Sequence, residues 1–135
     1  MSKGAPTGKV MDLLREPNPA VMATVRSDGQ PVSVATWYLI EDDGRVLFNL
    51  DAERVRLQHL KNDGRIALTA MKDGEWYTHV SIQGHVVEVV DDPDLVDIDR
   101  LAKHYTGKEY PTRDRKRVSV RADIDRWHGW GDAKE

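Results

Sequence analysis

The sequence predicts a mainly β protein: a six-stranded antiparallel barrel of Greek-key type, with short helices between some of the strands. The first observation behind this fold class is that six runs of alternating or β-branched residues are long enough to form strands. The second is that aspartate–glycine turns join several of these runs in hairpin order. The third is that the helical patterns are short, and no repeat of solenoid length is visible.

The N-terminal half is predicted to begin with a short amphipathic helix and to continue as a meander of three strands. Thr7 is a candidate cap for the helix, and Pro17 and Pro19 end it. Asp28 and Asp43, each followed by glycine, mark the hairpin turns between the strands. The helix is predicted at residues 9–16, and the strands at residues 21–26, 31–40 and 45–50.

The C-terminal half adds two short helices and three strands. Asp51 is a good N-cap for the first helix, and Pro93 begins the second. The turn at Asp73 leads into the longest strand, and Gly84 lies where a strand of that length must bend or bulge. The helices are predicted at residues 52–62 and 94–105, and the strands at residues 65–71, 75–90 and 118–124.

The length and composition predict one domain over residues 1–135. A chain of 135 residues is too short for two comfortable domains, and a globule of this size buries about two-thirds of the surface of its unfolded chain. With 39% hydrophobic and 32% charged residues, the composition is low in apolar residues but adequate for one core. We expect residues 1–8 to form a flexible arm.

Charge and cysteine content exclude several function classes. The net charge of -3 comes from interspersed charges of both signs, which argues against a nucleic acid partner. The absence of cysteine excludes disulfides, thiolate nucleophiles and cysteine-based metal sites. No segment resembles a signal peptide or is apolar over a length that spans a bilayer, so the expectation is a cytoplasmic protein without a membrane partner.

The segment from Phe48 to Arg65 has an unusual charge pattern for a helix start. The first turn of a helix favours acidic side chains, because its free N–H groups carry partial positive charge. This one carries Arg54 and Arg56, which repel that charge unless an anion such as a phosphate binds there. The alternative is that Asp51 and Glu53 neutralise the arginines locally on a solvated helix.

Other catalytic patterns are missing from the sequence. No two histidines have the helical spacing and intervening glutamate of zinc hydrolases, so we predict no metal site. No carboxylate pair, Gly-x-Ser-x-Gly elbow or Gly-x-Gly-x-x-Gly loop is present, which leaves acyl hydrolysis and Rossmann-type dinucleotide binding without their motifs. Four tryptophans lie either in the core, at a dimer interface or beside a flat heterocycle: Trp37, Trp76, Trp127 and Trp130.

Five segments, taken in order, carry a resemblance to a known family: ATVRSDGQPVSVATWY, VLFNLDAERVRLQHLKNDGRIAL, DGEWYTHVSIQGHVVEV, KHYTG and RVSVRADIDRW. Together they resemble the pyridoxamine-5′-phosphate-oxidase-like superfamily, whose fold is the FMN-binding split barrel. More narrowly, they resemble its actinobacterial branch that uses the deazaflavin coenzyme F420. The resemblance extends from about Leu13 to Trp127.

The resemblance implies a homodimer with two clefts, in each of which the coenzyme lies across the subunit interface. By position, Arg54 and Arg56 hold the phosphate of the coenzyme, while His59 stands where close relatives often have asparagine. Trp76 and Tyr77 match an aromatic segment that reaches in from the other subunit. Five further residues match segments along the coenzyme, the first three through their backbone: Pro31, Val32, Ser33, Asn49 and Leu50.

The function implied by the resemblance is hydride transfer between reduced coenzyme F420 and an unsaturated small-molecule substrate. The candidate proton donors are Tyr77 and solvent. One alternative is an FMN-dependent oxidase or reductase of the pyridoxamine-phosphate-oxidase type. It is less favoured because the C-terminal DRWHGWG only loosely matches the arginine–histidine substrate motif expected there. Another alternative is a non-catalytic protein that binds a flavin, a deazaflavin or haem.

Overall fold

The computed structural model describes residues 1–134, which form eight strands, three α-helices and a final 3₁₀ turn at Gly131–Ala133. The prediction of a mainly antiparallel β fold is confirmed, but the predicted number of six strands is wrong. The strands are β1 (Ser2–Lys3), β2 (Ala20–Val25), β3 (Pro31–Ala35), β4 (Leu39–Ile40), β5 (Val46–Asp51), β6 (Arg65–Lys72), β7 (Glu75–Asp91) and β8 (Arg117–Trp130). The helices are α1 (Gly8–Leu14), α2 (Val55–Asn62) and α3 (Val96–Thr106).

The strands form one sheet in the order β3-β2-β6-β7-β8-β5-β4, with β1 added beside β8. Its two end strands, β3 and β4, are consecutive pieces of the run predicted as one strand, residues 31–40. The first piece pairs with β2 and the second with β5, so this run joins the two ends of the sheet. Because the chain changes partner strand at the break between β3 and β4, this run closes the sheet into a barrel.

The break at residues 36–38 is held by Tyr38, whose side chain is fully buried. Its hydroxyl donates to the Leu14 carbonyl at 2.8 Å and accepts from the amide of Asn18 at 2.9 Å. The first bond attaches the connection to the end of α1, 24 residues earlier in the sequence, and the second attaches it to the segment that follows α1. A prediction from alternating polarity does not detect them, which is why it gave one long strand.

The second extra strand is β1, whose Ser2 and Lys3 pair with Trp127 and Arg126 of β8. It lies within the segment expected to be a flexible arm. The partner strand β8 continues to Trp130, beyond the predicted end at residue 124, because the C-terminal tail pairs with β7 as far as His79.

The three hairpin turns and the bend in the long strand follow the sequence predictions. Gly29, Gly44 and Gly74 all have positive φ, as their turns require. In β7, the register shifts beside Gly84, and a Cβ on this residue would lie 2.1 Å from the Asp123 carbonyl oxygen. Only glycine permits this close approach, so the predicted irregularity at Gly84 is confirmed.

The main core fills the barrel, and a smaller apolar cluster lies under α3. Leu57 and Leu60 of α2 are buried in the main core, together with Leu14 of α1. Strand β5 is buried on both faces, because Phe48 points into the barrel and Leu47 packs under α3. The cluster under α3 consists of Leu47, Leu95, Ile98 and Leu101, with Trp37, Leu39 and Tyr110 packed against it.

All three helices differ in their bounds from the predictions, and α1 ends at Leu14, two residues earlier than predicted. Helix α2 begins at Val55 with Arg54 as its N-cap, so the prediction of Asp51 as N-cap is wrong. Asp51 instead accepts a hydrogen bond from the Glu53 N–H at 3.0 Å, in the turn before the helix. Helix α3 begins at Val96, two residues later than predicted. Within residues 1–134, no helix has the length and apolar character needed to cross a membrane.

Candidate functional site

The barrel is split between β3 and the end of β5. Strand β4 pairs with β5 only through Leu39–Leu47 and Ile40–Val46. Continuing this antiparallel register would place Trp37 opposite Asn49, but no pairing is formed there. Both residues instead line one cleft of about 730 Å³. The opening thus leaves the backbone of β3 without a strand on one side, where a ligand can approach.

Helix α2 packs against β2, the strand that neighbours β3. It follows directly from β5, and its His59 reaches β2, where the ring Nδ1 lies 3.1 Å from the Thr24 hydroxyl. Thr24 is buried and stands opposite Val32 of β3 in the strand register. The structure therefore brings together two of the predicted site residues, His59 and Val32, through Thr24.

Arg54 and Arg56 lie at the start of α2, one exposed and the other half-buried. The Nε of Arg56 is buried and has no hydrogen-bond partner among residues 1–134. Burial lowers the pKa of Arg56, and the neighbouring charge of Arg54 lowers it further. A buried donor on a destabilised cation is an arrangement that a bound anion relieves.

The nearby carboxylates do not neutralise this arginine pair. Asp51 and Glu53 both bind Arg115, which precedes β8, at 2.9 and 3.0 Å. The hydrogen bond from Glu53 N–H and the contact with Arg115 lower the pKa of Asp51. Local neutralisation by Asp51 and Glu53 was the alternative explanation of the sequence pattern, and the structure contradicts it. Within residues 1–134, Arg54 and Arg56 form no ion pair.

The predicted backbone contacts of β3 lie on an accessible edge. Pro31 and Ser33 are exposed and Val32 is half-buried, the alternation of a strand with one face turned to solvent. The strand pairs only with β2, so its other edge faces the split. This placement is compatible with a flat ligand along the strand.

Asn49 and Leu50 take up opposite sides of β5. The Leu50 side chain is in the core, only 2% exposed, so only its main chain can meet a ligand. The Asn49 amide donates to Asp92 at 3.1 Å and to Ser119 at 3.2 Å, and its oxygen accepts from Arg117 at 2.9 Å. Asn49 is thus fixed in a polar network between β5, β8 and the start of α3.

Trp76 and Tyr77 lie far from the arginine pair within the same chain. They stand at the turn between β6 and β7 and are 70% and 58% exposed. Helix α2 enters β6 at its opposite end, and a strand of eight residues spans roughly 23 Å. The fold of one chain therefore does not bring these aromatic residues to Arg54 and Arg56.

Three residues of the cleft were not predicted from the sequence: Tyr105, Tyr110 and Arg117. Trp37 stacks on Tyr105 with ring centroids 5.4 Å apart and meets the edge of Tyr110 at 6.2 Å. The Arg117 guanidinium lies 5.0 Å from the centre of the Tyr110 ring. The available signal was the occurrence of two tyrosines around a polar loop, which local patterns cannot connect to Trp37.

Tyr105 is committed to the structure of the cleft rather than to proton transfer. Its hydroxyl donates to the Asn18 carbonyl at 2.7 Å. Burial raises the pKa of Tyr105 to about 12. A phenol with this pKa and an occupied proton is a poor general acid near neutral pH.

Comparisons with known proteins agree with this architecture. The sequence model of the pyridoxamine 5′-phosphate oxidase family matches residues 6–131. A solved F420 reductase is 26% identical and superposes with a TM-score of 0.80, covering 91% of this chain and 98% of the other. A comparison with curated proteins finds no match.

Two further structures share the fold at lower identity. The conserved hypothetical protein Rv2991 from Mycobacterium tuberculosis is 22% identical, with a TM-score of 0.73 over 96% of this chain and 88% of the other. General Stress Protein 26 from Bacillus anthracis is 14% identical, with a TM-score of 0.67 over 90% of this chain and 91% of the other. With the family match over most of its length and the split barrel seen in the structure, the chain belongs to the pyridoxamine 5′-phosphate oxidase family.

Proposed function

We propose that this protein is an oxidoreductase that uses coenzyme F420 to reduce an unsaturated small molecule. The observation that carries the proposal is the arginine pair at the start of α2, which forms no ion pair within residues 1–134 although two carboxylates lie nearby in sequence. The choice of F420 is supported by the similarity to a solved F420 reductase.

The residues at the start of α2 fit the phosphate of such a coenzyme. The buried Arg56 Nε needs an acceptor, and Arg54 adds a second cation beside the free N–H groups of the helix. A phosphate oxygen would satisfy these donors by charge-assisted hydrogen bonds. His59, one turn after Arg56, would stand at the same face of the helix, held by Thr24.

When bound, the reduced deazaflavin supplies the hydride. The protein supplies placement: Arg54 and Arg56 hold the phosphate end, and the free edge of β3 orients the ring. The aromatic walls of the cleft, Trp37 and Tyr110, position the acceptor and exclude water from it. Because Tyr105 holds its proton firmly, the proton for the product comes from solvent or from Tyr77 of another copy.

The proposal includes a homodimer. Trp76 and Tyr77 are the most exposed aromatic residues among residues 1–134 and lie at the opposite end of β6 from α2. In such a dimer, Trp76 and Tyr77 of one copy would lie beside the coenzyme held at the start of α2 of the other copy. Sedimentation velocity tests the assembly, and we expect the wild type to sediment as a dimer. Fluorescence titration with the coenzyme tests the aromatic residues, and we expect W76A/Y77A to bind the coenzyme more weakly than the wild type does.

The same arginine pair would also hold the phosphate of FMN, and the family match to pyridoxamine 5′-phosphate oxidase favours this second candidate. FMN and F420 both offer a phosphate and a flat ring, so the contacts of Arg54 and Arg56 do not separate them. The difference has to be measured.

Titration of the purified protein with each coenzyme tests the proposed function. We expect tryptophan fluorescence to be quenched at lower concentrations of F420 than of FMN. Reduced F420 should then be oxidised in the presence of members of a panel of quinones, enones and tetrapyrroles. Tight binding of FMN with none of F420 would overturn the proposal. Binding of F420 without turnover of any acceptor would favour the non-catalytic alternative.

A further inference from the structure

Arg117 has a guanidinium group that forms no ion pair within residues 1–134, although it feels the charge of Asp51, which stands opposite it in the strand register. Its Nε donates to the Asn49 side-chain oxygen at 2.9 Å, and its Nη2 donates to the Asn49 carbonyl at 3.3 Å. Among residues 1–134, no carboxylate lies within ion-pair distance of it. Of the five N–H donors of an arginine, three therefore remain for a ligand.

Two carboxylates near Arg117, those of Asp51 and Asp92, make their hydrogen bonds and ion pairs with other groups. Asp51 stands opposite Arg117 in the strand register, but its carboxylate binds Arg115 at 2.9 Å. The buried Asp92 accepts hydrogen bonds from Asn49 and from the N–H groups of residues 97 and 98 at the start of α3. Asp51 and Asp92 thus bond to other groups, and Arg117 remains without an ion-pair partner within residues 1–134.

The position of Arg117 is fixed before any ligand binds. Asn49, which holds the guanidinium at two points, is itself held by Asp92 and Ser119. The Tyr110 ring covers one face of the guanidinium at 5.0 Å. A cation held in this way loses little side-chain entropy when an anion binds.

The cleft beside Arg117 has flat aromatic walls and suitable dimensions. Trp37, Tyr105 and Tyr110 contribute aromatic rings, and Ile98 and Leu101 contribute apolar surface from α3. Its volume of about 730 Å³ is in the range of pockets that hold small organic molecules. A flat molecule with one anionic end matches both the rings and the cation.

We propose that this cleft binds the substrate, a planar unsaturated carboxylate, and that Arg117 anchors the carboxylate group. The inference rests on the proposed function, because it places the substrate beside the coenzyme. Ala35 and Thr36, at the end of β3, line the cleft, whereas Pro31 lies at the other end of the same strand, nearer to α2. A coenzyme ring along β3 would therefore adjoin the cleft. Arg117 binds and positions the substrate and takes no part in proton transfer.

Calorimetric titration of the coenzyme-free protein tests the anchor, with cinnamate as the anionic probe and cinnamamide as its neutral analogue. We expect the wild type to bind cinnamate roughly tenfold more tightly than cinnamamide, because the charge-assisted bonds are made only by the carboxylate. R117Q should lose this preference while binding cinnamamide as the wild type does. R117K, which keeps the charge but not the fork of donors, should keep a reduced preference.

R45Q serves as the control, since it removes an arginine that is paired with Asp123 at 3.2 Å and that does not line the cleft. It should retain the full preference for cinnamate. Melting temperatures of all variants show whether each is folded. Equal binding of the two probes by the wild type would overturn the proposal, as would an unchanged preference in R117Q and R117K.

The anionic groups of the coenzyme are a second source of the same chemistry, and affinity for F420 distinguishes the two. If Arg117 serves the substrate, R117Q should bind F420 as tightly as the wild type does. A loss of F420 affinity in R117Q comparable with that in R54A/R56A would assign Arg117 to the coenzyme and overturn the substrate assignment. If the wild type does not bind F420, the proposed function fails, while the cinnamate preference is still measured independently.

Discussion

Two groups of arginines in this barrel have opposite surroundings. Arg121 of β8, whose side chain is 17% exposed, bonds to Glu41, Glu88 and Asp97, and Arg100 of α3 shares two of these carboxylates. These contacts raise the pKa of Arg121. Arg54 and Arg56 lack such contacts within residues 1–134, and the pKa of Arg56 is lowered.

The difference separates the structural role of Arg121 from the binding role that we propose for Arg54 and Arg56. Around Arg121, the carboxylates join β7, β8, α3 and the end of β4 into one polar network, so its charge is used by the fold. At the start of α2, the fold instead assigns the acidic neighbours to Arg115 and leaves the arginines available. Arginine content alone does not distinguish these cases, whereas the partners of each guanidinium do.

The largest expected effect is a loss of stability when Arg121, which is paired with carboxylates, is replaced. R121M leaves Glu41 and Asp97 with only Arg100 as a cationic partner in a partly buried site. We expect a loss of about 3 kcal/mol in the free energy of unfolding, near the lower end for breaking a buried ion pair, because Arg100 compensates in part. Urea denaturation measures it. A variant as stable as the wild type would mean that the network contributes little to the fold.

Replacing Arg54 and Arg56, which form no ion pair within residues 1–134, should change coenzyme affinity and leave stability largely unaffected. R54A/R56A is expected to bind the coenzyme about 2 kcal/mol more weakly, a roughly 30-fold loss, as its charge-assisted phosphate bonds are removed. Its stability should be unchanged or slightly higher, because mutual repulsion is relieved. The control R45A/R113A removes two paired arginines and should bind as the wild type does. Unchanged affinity of R54A/R56A would place the phosphate elsewhere.

The paired network also predicts a dependence of stability on acid pH. Burial tends to raise the pKa of Asp97, but hydrogen bonds from Ser119 and Arg100 and the charge of Arg121 outweigh it and lower the pKa below the usual 3.8. The stabilisation is therefore present above about pH 3.8 and is lost as the pH falls through the lowered native value. Urea midpoints at pH 5 and pH 3 should differ less for D97N than for the wild type. An equal difference would assign the acid sensitivity to other carboxylates.

A smaller loss of coenzyme affinity should follow from replacing Arg115, which binds Asp51 and Glu53. R115A frees Asp51 and Glu53 to interact with Arg54 and Arg56. Coenzyme affinity should then fall by about two- to fivefold, the scale of an exposed ion pair, and more at low ionic strength than at high. Fluorescence titration at two salt concentrations measures this. R113A, which breaks a similar ion pair with Asp99, should leave coenzyme affinity unchanged at both salt concentrations.

Much of the fold could be predicted from the sequence because it depends on short-range rules. The turns at Gly29, Gly44 and Gly74 need positive φ, and the sequence marks each with an aspartate before the glycine. The irregularity at Gly84 followed from the length of its strand. Alternating polarity located most strands, and the resemblance of several segments in order identified the family that the comparisons confirm.

The number of strands and the start of α2 depended on contacts that the sequence pattern does not contain. The run at residues 31–40 breaks because Tyr38 bonds to the end of α1, and its second half pairs with a strand that follows later in the chain. Asp51 was expected to cap α2, but it is held by Arg115 from the loop before β8. Side chains distant in sequence decided both outcomes.

By itself, the sequence determined that two arginines occupy a helix start that disfavours them, and hence that either carboxylates or a ligand must compensate their charge. Only the tertiary structure excluded the nearby carboxylates, because Arg115 lies more than sixty residues from Glu53 and yet takes it as a partner. The same holds for Arg117, whose cleft is assembled from β3, β5, α3 and β8. Local chemistry predicts that a charge needs a partner, and the packing of the whole barrel decides which partner it has.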